Sequence, residues 1–211
     1  WTALMFACSN GHKDVVQVFL DNSKRIDLNA RDNNGRTALM YACRAQYAQR
    51  NARNKDIVQL LLNHSDPRID LNVKDNNGRT ALTIARQSRQ NSIVKLLLDQ
   101  SDRIEVHTRD NLGDTAFMIA CELGHKDFVQ WILDNSEGID LNATNNDGKT
   151  ALMLACSFGH KYVVKLLLDS SKRIELNARD NHGRTALMFA CSARNSDVVE
   201  LLLNHSDPRI D

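Results

Sequence analysis

Five cysteines stand at Cys8, Cys43, Cys121, Cys156 and Cys191, and Arg86 takes the place where a sixth would fall. A row of thiols raises two chemistries, disulfides and metal binding. If the row runs along stacked helices, its members lie about 8–10 Å apart, whereas a disulfide needs Cα atoms within about 7 Å. Zinc needs four ligands converging on one point, which a line cannot supply. Small buried thiols in a reducing compartment fit better, so the expectation is an intracellular protein, cytoplasmic or nuclear, with no metal and no cofactor. His12, His125 and His160 each follow a glycine, but no second group recurs beside them to make a nucleophile–base pair. The Asp-Asn-x-Gly stretches look like pieces of a calcium loop without its other acidic ligands or its closing Glu. No phosphate loop and no HExxH pattern occurs. These absences predict a protein that is not an enzyme and has no small-molecule substrate.

Three rows of cations could instead track a phosphate backbone. Arg31, Lys74, Arg109 and Arg179 form one row; Arg36, Arg79, Lys149 and Arg184 form another; Arg25, Arg68, Arg103, Arg173 and Arg209 form the third. An acidic residue stands beside almost every one of them, Asp27 and Asp32 being examples. Formal net charge is +1, and no aromatic residues are interleaved to stack on bases. Both facts weigh against nucleic acid. With 42% hydrophobic and 25% charged residues, the chain can bury a core, and no apolar run approaches the roughly 18 residues that cross a membrane.

The rows exist because the sequence repeats. Thr-Ala-(Leu/Phe) begins at Thr2, Thr37, Thr80, Thr115, Thr150 and Thr185, with spacings of 35, 43, 35, 35 and 35 residues. The units run approximately 1–36, 37–79, 80–114, 115–149, 150–184 and 185–211, read as a single array. Threonine suits a helix N-cap, and Leu4, Ala7 and Cys8 follow at helical spacing. Gly11-His12 breaks that helix; Val15, Val16, Phe19 and Leu20 stripe a second one. Ile26-Asp27-Leu28 alternates as an extended segment does, and Asp32-Asn33-Asn34-Gly35 is a turn. Helices this short cannot bury a stripe alone, so stability must come from stacking. Repeat 2 is eight residues longer than the others, and the extra length is expected between Cys43 and Asp56, in a polar and basic stretch (46–54). That composition predicts a protruding loop or a first helix longer by about two turns, with no part in the core.

The unit resembles the ankyrin repeat, whose pattern D-x-x-G-x-T-P-L-H-x-A-x-x-G-H-x-x-(I/V)-V-x-x-L-L it follows six times in order. Ala-Leu-Met replaces the family's Pro-Leu-His, and the unit is two residues longer around Asn22–Ile26. The resemblance implies an all-α repeat solenoid of stacked helix-turn-helix units joined by β-hairpin-like turns. It implies a protein–protein interaction scaffold that binds its partner on a concave face of hairpin tips and first helices. It also implies that the Gly-His histidine secures its turn by local hydrogen bonding.

Mapped onto this chain, the docking positions are mostly Asn, Arg, Ser or Ala, but Leu112, Leu123 and Phe158 depart from that. With Asp114 and Glu122 as an acidic rim, they are expected to form one apolar patch. Arg36, Arg79, Lys149 and Arg184 complete the expected partner-binding set. Trp131, replacing a second-helix aliphatic, reads as core. Two other readings come from the resemblance. Some such arrays are substrates of an asparaginyl or histidinyl hydroxylase, and Asn29, Asn72, Asn142, Asn177 and His107 fall at the matching position. The array could also be a spacer or targeting module of a larger enzyme or channel. The chain opens at Trp1 in mid-pattern, repeats 1 and 5 are nearly identical, and repeats 2 and 6 share an ending; a longer parent array is therefore expected.

Overall fold

All six repeat-opening threonines cap a helix. Each side-chain oxygen accepts the backbone N–H three residues on: Met5, Met40, Thr83, Met118, Met153 and Met188, at 3.2–3.5 Å. The computed structural model describes residues 1–44, 51–65, 69–135, 138–170 and 173–205. The chain divides into two compact units, Trp1–Ile104 and Glu105–Asp211. The first holds α1 (Ala3–Asn10), α2 (Lys13–Asp21), α3 (Ala38–Cys43), α4 (Asn51–Asn63), α5 (Ala81–Gln87) and α6 (Asn91–Leu98). The second holds α7 (Ala116–Leu123), α8 (Lys126–Asp134), α9 (Ala151–Phe158), α10 (Lys161–Asp169), α11 (Ala186–Ser192) and α12 (Ser196–Leu203). No strand occurs among the described residues. The fold is the expected all-α repeat stack, and its hairpin-like connections are tight turns.

Within each unit, odd-numbered first helices pack on one another and each even-numbered helix backs its partner. A first helix sits between neighbours and is therefore apolar on nearly every side: Ala116 to Cys121 and Ala151 to Cys156 are all buried. A second helix buries one stripe only, such as Val163, Val164, Leu167 and Leu168 in α10. At six to nine residues, all of these helices but the thirteen-residue α4 fall below the roughly 12–15 at which an isolated helix holds in water. Each buried Leu, Ile or Val contributes about 1.5–3 kcal/mol, so stacking supplies what length does not.

The first and last repeats each pack against a single neighbour within the 211 residues. Phe6 and Val15 are exposed where Tyr41, Ile119 and Ile93 are buried at equivalent positions. Met188, Leu203 and Cys191 are exposed at the other end. The thiol row is thus not uniformly buried: four cysteines are, and Cys191 is not. No group of three or more His, Cys, Asp or Glu that could hold a metal occurs among the described residues.

Of the two expectations for repeat 2, a longer first helix is not met, and a loop would fall largely on residues 45–50. The first helix α3 has six residues, fewer than the eight of α1, whereas α4 has thirteen against nine in α2. The second helix lengthens at its start, because Ala52, Arg53 and Lys55 are good helix formers. Nor is the stretch wholly outside the core: Asn54 is buried and donates to the carbonyl of Arg44 at 3.3 Å. Residues 45–50 of the insertion lie outside the described residues.

Candidate protein-interaction surface

Each hairpin tip is closed by its own first side chain. The Oδ1 of Asp32 accepts the N–H groups of Asn34 and Arg36, both at 2.9 Å. Asp75, Asp110, Asn145 and Asp180 repeat this with the residues two and four further on, at 2.8–3.0 Å. The Asp-x-x-Gly-Arg pattern is therefore a self-bonded turn and no calcium loop. Neighbouring tips are laced together: Asn76 N–H donates to the carbonyl of Asn34, Asn146 to that of Leu112, and Asn181 to that of Asp147. The contact is close enough to demand glycine. A Cβ on Gly148, whose φ is +79°, would lie 2.7 Å from the backbone nitrogen of Asn181.

The arginine rows are mostly internal ties. Arg79 grips Asp75 Oδ2 with Nε at 3.0 Å and Nη2 at 2.7 Å, and Arg184 does the same to Asp180 at 2.9 and 2.7 Å. Burial alone would push the Asp180 carboxyl up. The Arg184 guanidinium and the N–H groups of Arg184 and His182 outweigh it and hold the carboxyl at about 2. The same contest, with the same winner, lowers Asp75 and Asp32, the latter through the Tyr41 hydroxyl at 2.6 Å. Lys149 pairs with Asp147 at 3.0 Å and lies over the Phe189 ring, as Arg184 does at 4.6 Å. Arg31 donates to the carbonyl of Lys74, and Arg109 to that of Thr144. Arg103 reaches the carbonyls of Leu62 and Ile69, and Arg173 that of Leu133, closing the ends of preceding second helices. Arg68 and Arg209 lie outside the described residues.

The expected apolar patch divides. Leu112 is exposed at a tip, before the N-terminus of α7, and Leu123 is half-buried at that helix's other end. Eight helical residues at 1.5 Å each set them about 12 Å apart. Phe158 is 56% exposed at the matching C-terminal end of α9. Leu123 and Phe158 thus share one end of adjacent first helices, and Leu112 belongs to the tips. Asp114 is no rim charge: it is 2% exposed, and its Oδ1 accepts from the Asn145 amide at 2.8 Å. Glu122 is half-buried, and its carbonyl bonds the His160 ring at 2.7 Å.

That bond gives the turn histidine a wider reach than expected. His125 caps α8 locally, its Nδ1 accepting from Phe128 N–H at 3.4 Å, whereas His160 spans two repeats. The Phe158 ring lies parallel to His160, within 9°, at 6.4 Å. Trp131 is half-buried and stacks on Phe128.

Three of the five hydroxylation candidates hold adjacent repeats together. Asn29 Oδ1 accepts from Asp70 N–H at 2.8 Å, and Asn72 donates to the carbonyl of Arg103 at 2.8 Å. Asn142 does both, to Arg173 and from Glu175. Asn177 is half-buried and His107 exposed.

Comparison with known proteins follows this geometry. A family model described as ankyrin repeats (3 copies) matches residues 1–67, 45–145 and 137–211. No curated protein matches the chain. Three solved structures are similar over almost its whole length. One is a chain from a structure of the predatory endopeptidase Bd0816 from Bdellovibrio bacteriovorus in complex with immunity protein Bd3460. It is 30% identical, covering 95% of this chain and 96% of that one, with a TM-score of 0.66. An ankyrin repeat domain from Acinetobacter baumannii AYE is 27% identical, with 95% of each chain covered and a TM-score of 0.67. The ankyrin repeat protein EF0377 is 22% identical, with 97% and 98% covered and a TM-score of 0.69, and shares the fold. Ankyrin repeats generally mediate protein–protein interaction, and no helix among the described residues is long and apolar enough to cross a membrane. The chain belongs to the ankyrin-repeat family.

Proposed function

We propose that this chain is a non-catalytic scaffold that holds a partner protein on the concave side formed by its hairpin tips and the exposed ends of its first helices. Phe158 carries the reading. Of the five equivalent positions, four hold the small or polar Asn10, Ala45, Ser88 and Ala193, and only Leu123 is another large apolar residue. An exposed aromatic there adds nothing to the repeat's own core, and its ring lies parallel to that of a histidine bonded to the Glu122 carbonyl. A pre-ordered aromatic at low entropic cost is what an interface anchor requires. Leu123 beside it, and the exposed Leu112 at the tips, extend the surface. Arg36, Arg79, Lys149 and Arg184 would contribute through the faces that their internal ion pairs leave open. The similar structure obtained as a two-protein complex supports the same use of the fold.

Affinity capture with the intact chain and with Phe158→Asp tests this. The variant should melt as the parent does, because an exposed side chain has little burial to lose, and should fail to retain the partner. Equal capture by both would place the interface elsewhere.

A further inference from the structure

Four positions of the repeat show which side chains face which neighbour. Met5, Met40, Met118 and Met153 are buried in repeats that have a successor within their own compact unit, and their counterpart Met188 in repeat 6 is 45% exposed. Leu20, Leu62, Leu133 and Leu168 are buried likewise, and their counterpart Leu203 is 62% exposed. These two positions face the following repeat. The reverse holds at the other two. Tyr41, Ile84, Leu154 and Phe189 are buried in repeats that have a predecessor within the unit, and Phe6 is 59% exposed; Ile57, Ile93, Val163 and Val198 are buried, and Val15 is 45% exposed.

The two uncovered faces are the halves of one interface. In the second unit α9 packs on α11 and α10 on α12. Met153, Cys156 and Leu168 are buried on the repeat 5 side of that contact, and Phe189 and Val198 on the repeat 6 side. Repeat 6 presents Met188, Cys191 and Leu203 at the first three positions, and repeat 1 presents Phe6 and Val15 at the other two. The open pair thus repeats the covered pair side chain for side chain. Cys191 is exposed where Cys156 is buried, as this requires. Lys161 pairs with Asp197 across the covered contact at 3.1 Å. The same two places at the open faces hold Ser196 and Asp14, both exposed, so no like charges oppose each other.

We infer that a second copy of this chain covers these faces, repeat 1 of one copy stacking on repeat 6 of another in the register of neighbouring repeats. A stack stays single when its outer faces are polar caps, and faces that carry Phe, Val, Met and Leu instead mark a surface for association. An unrelated partner has no reason to match both faces, whereas another copy matches both at once. The contact is heterologous: each pair keeps one open face at either end, so assembly continues past two unless the rotation closes a ring. Leu123 and Phe158 take no part in it, and it stands or falls independently of the partner-binding reading.

Sedimentation velocity of the 211-residue chain over a concentration series tests this. The mass should rise above that of one chain as concentration increases. Phe6→Asp and Met188→Asp should each weaken association by about tenfold or more. Both side chains are already about half exposed, so both variants should melt close to the parent. Mixed in equal amounts, the two variants should form pairs and nothing larger, through the one intact face that each keeps. Cys191 should react quickly with a thiol reagent in dilute solution and more slowly as concentration rises, and Phe6→Asp should abolish that protection. A chain that stays single at every concentration would overturn the assignment. So would either variant alone associating as the parent does, which would mean that two faces of the same kind meet, or a mixture that fails to pair.

Discussion

The side-chain amide of Asn145 donates to the buried carboxylate of Asp114 at 2.8 Å, joining two adjacent tips. Both residues depart from their rows. Asp114 stands where Arg36, Arg79, Lys149 and Arg184 stand, and Asn145 stands where Asp32, Asp75, Asp110 and Asp180 stand. The two changes compensate: an aspartate at 145 would face another carboxylate with almost no water between. Asn145→Asp should therefore destabilise the protein by about 1–3 kcal/mol at neutral pH. Adding Asp114→Arg should recover much of the loss, with a coupling energy of about 0.5–3 kcal/mol in a double-mutant cycle. Urea midpoints of the four proteins read this directly, and an additive cycle would show that the two sites are independent.

Arg89 and Arg194 have φ values of +55° and +56°, at the turn where Gly11, Gly124 and Gly159 occupy the same left-handed region. That region costs a residue with a Cβ about 1–2 kcal/mol, and glycine's extra freedom when unfolded returns part of it. Arg89→Gly and Arg194→Gly should each stabilise by about 1 kcal/mol, whereas Arg89→Ala should gain nothing. Unfolding midpoints that stay level with the parent in both glycine variants would show that the turn carries no such strain.

Thiol chemistry should separate one cysteine from four. Burial raises the Cys8 and Cys156 thiols to about 12, and it also raises Cys43 and Cys121. Cys191 is exposed. Under native conditions a thiol reagent should modify one group per chain quickly, identified as Cys191 by peptide mapping, and the other four only on unfolding. Rapid modification of Cys43 or Cys121 would contradict the packing of the first helices.

Acid should loosen the tips. Asp180 titrates near 2 when folded, against about 3.9 for a free aspartate. A folded carboxyl held lower binds fewer protons than the unfolded one. Its stabilisation is therefore complete above about pH 4 and is lost as pH falls towards 2. Asp75 and Asp32 act in the same direction. The melting temperature of Asp180→Asn should fall less steeply between pH 4 and pH 2 than the parent's, and parallel curves would remove Asp180 from the account.

What could be read from sequence was what depends on neighbours in sequence. Thr caps act on the residue three positions on, and the first side chain of a tip bonds residues two and four away, so six caps and five tips were legible as pattern. Asp114 was not, because an acid in a row of arginines looks like a surface charge and its partner is 31 residues away. The expected Leu112–Leu123–Phe158 patch rested on composition, which marks three unusual residues but not that a helix length separates Leu112 from Leu123. The insertion was legible only as a polar stretch: the length gained by α4 and the inward turn of Asn54 to bond Arg44 depend on packing that composition does not show.

The central claim is that the tips and first-helix ends are the surface a partner protein touches. Cross-linking mass spectrometry on the intact chain with its captured partner measures this. The account predicts cross-links and protection from exchange at the tips and at the C-terminal ends of α7 and α9, around Leu112, Leu123 and Phe158, all weakened in Phe158→Asp. Cross-links confined to the outer faces of the second helices, around Gln17, Gln59 or Lys165, with Phe158 as accessible in the complex as alone, would contradict it.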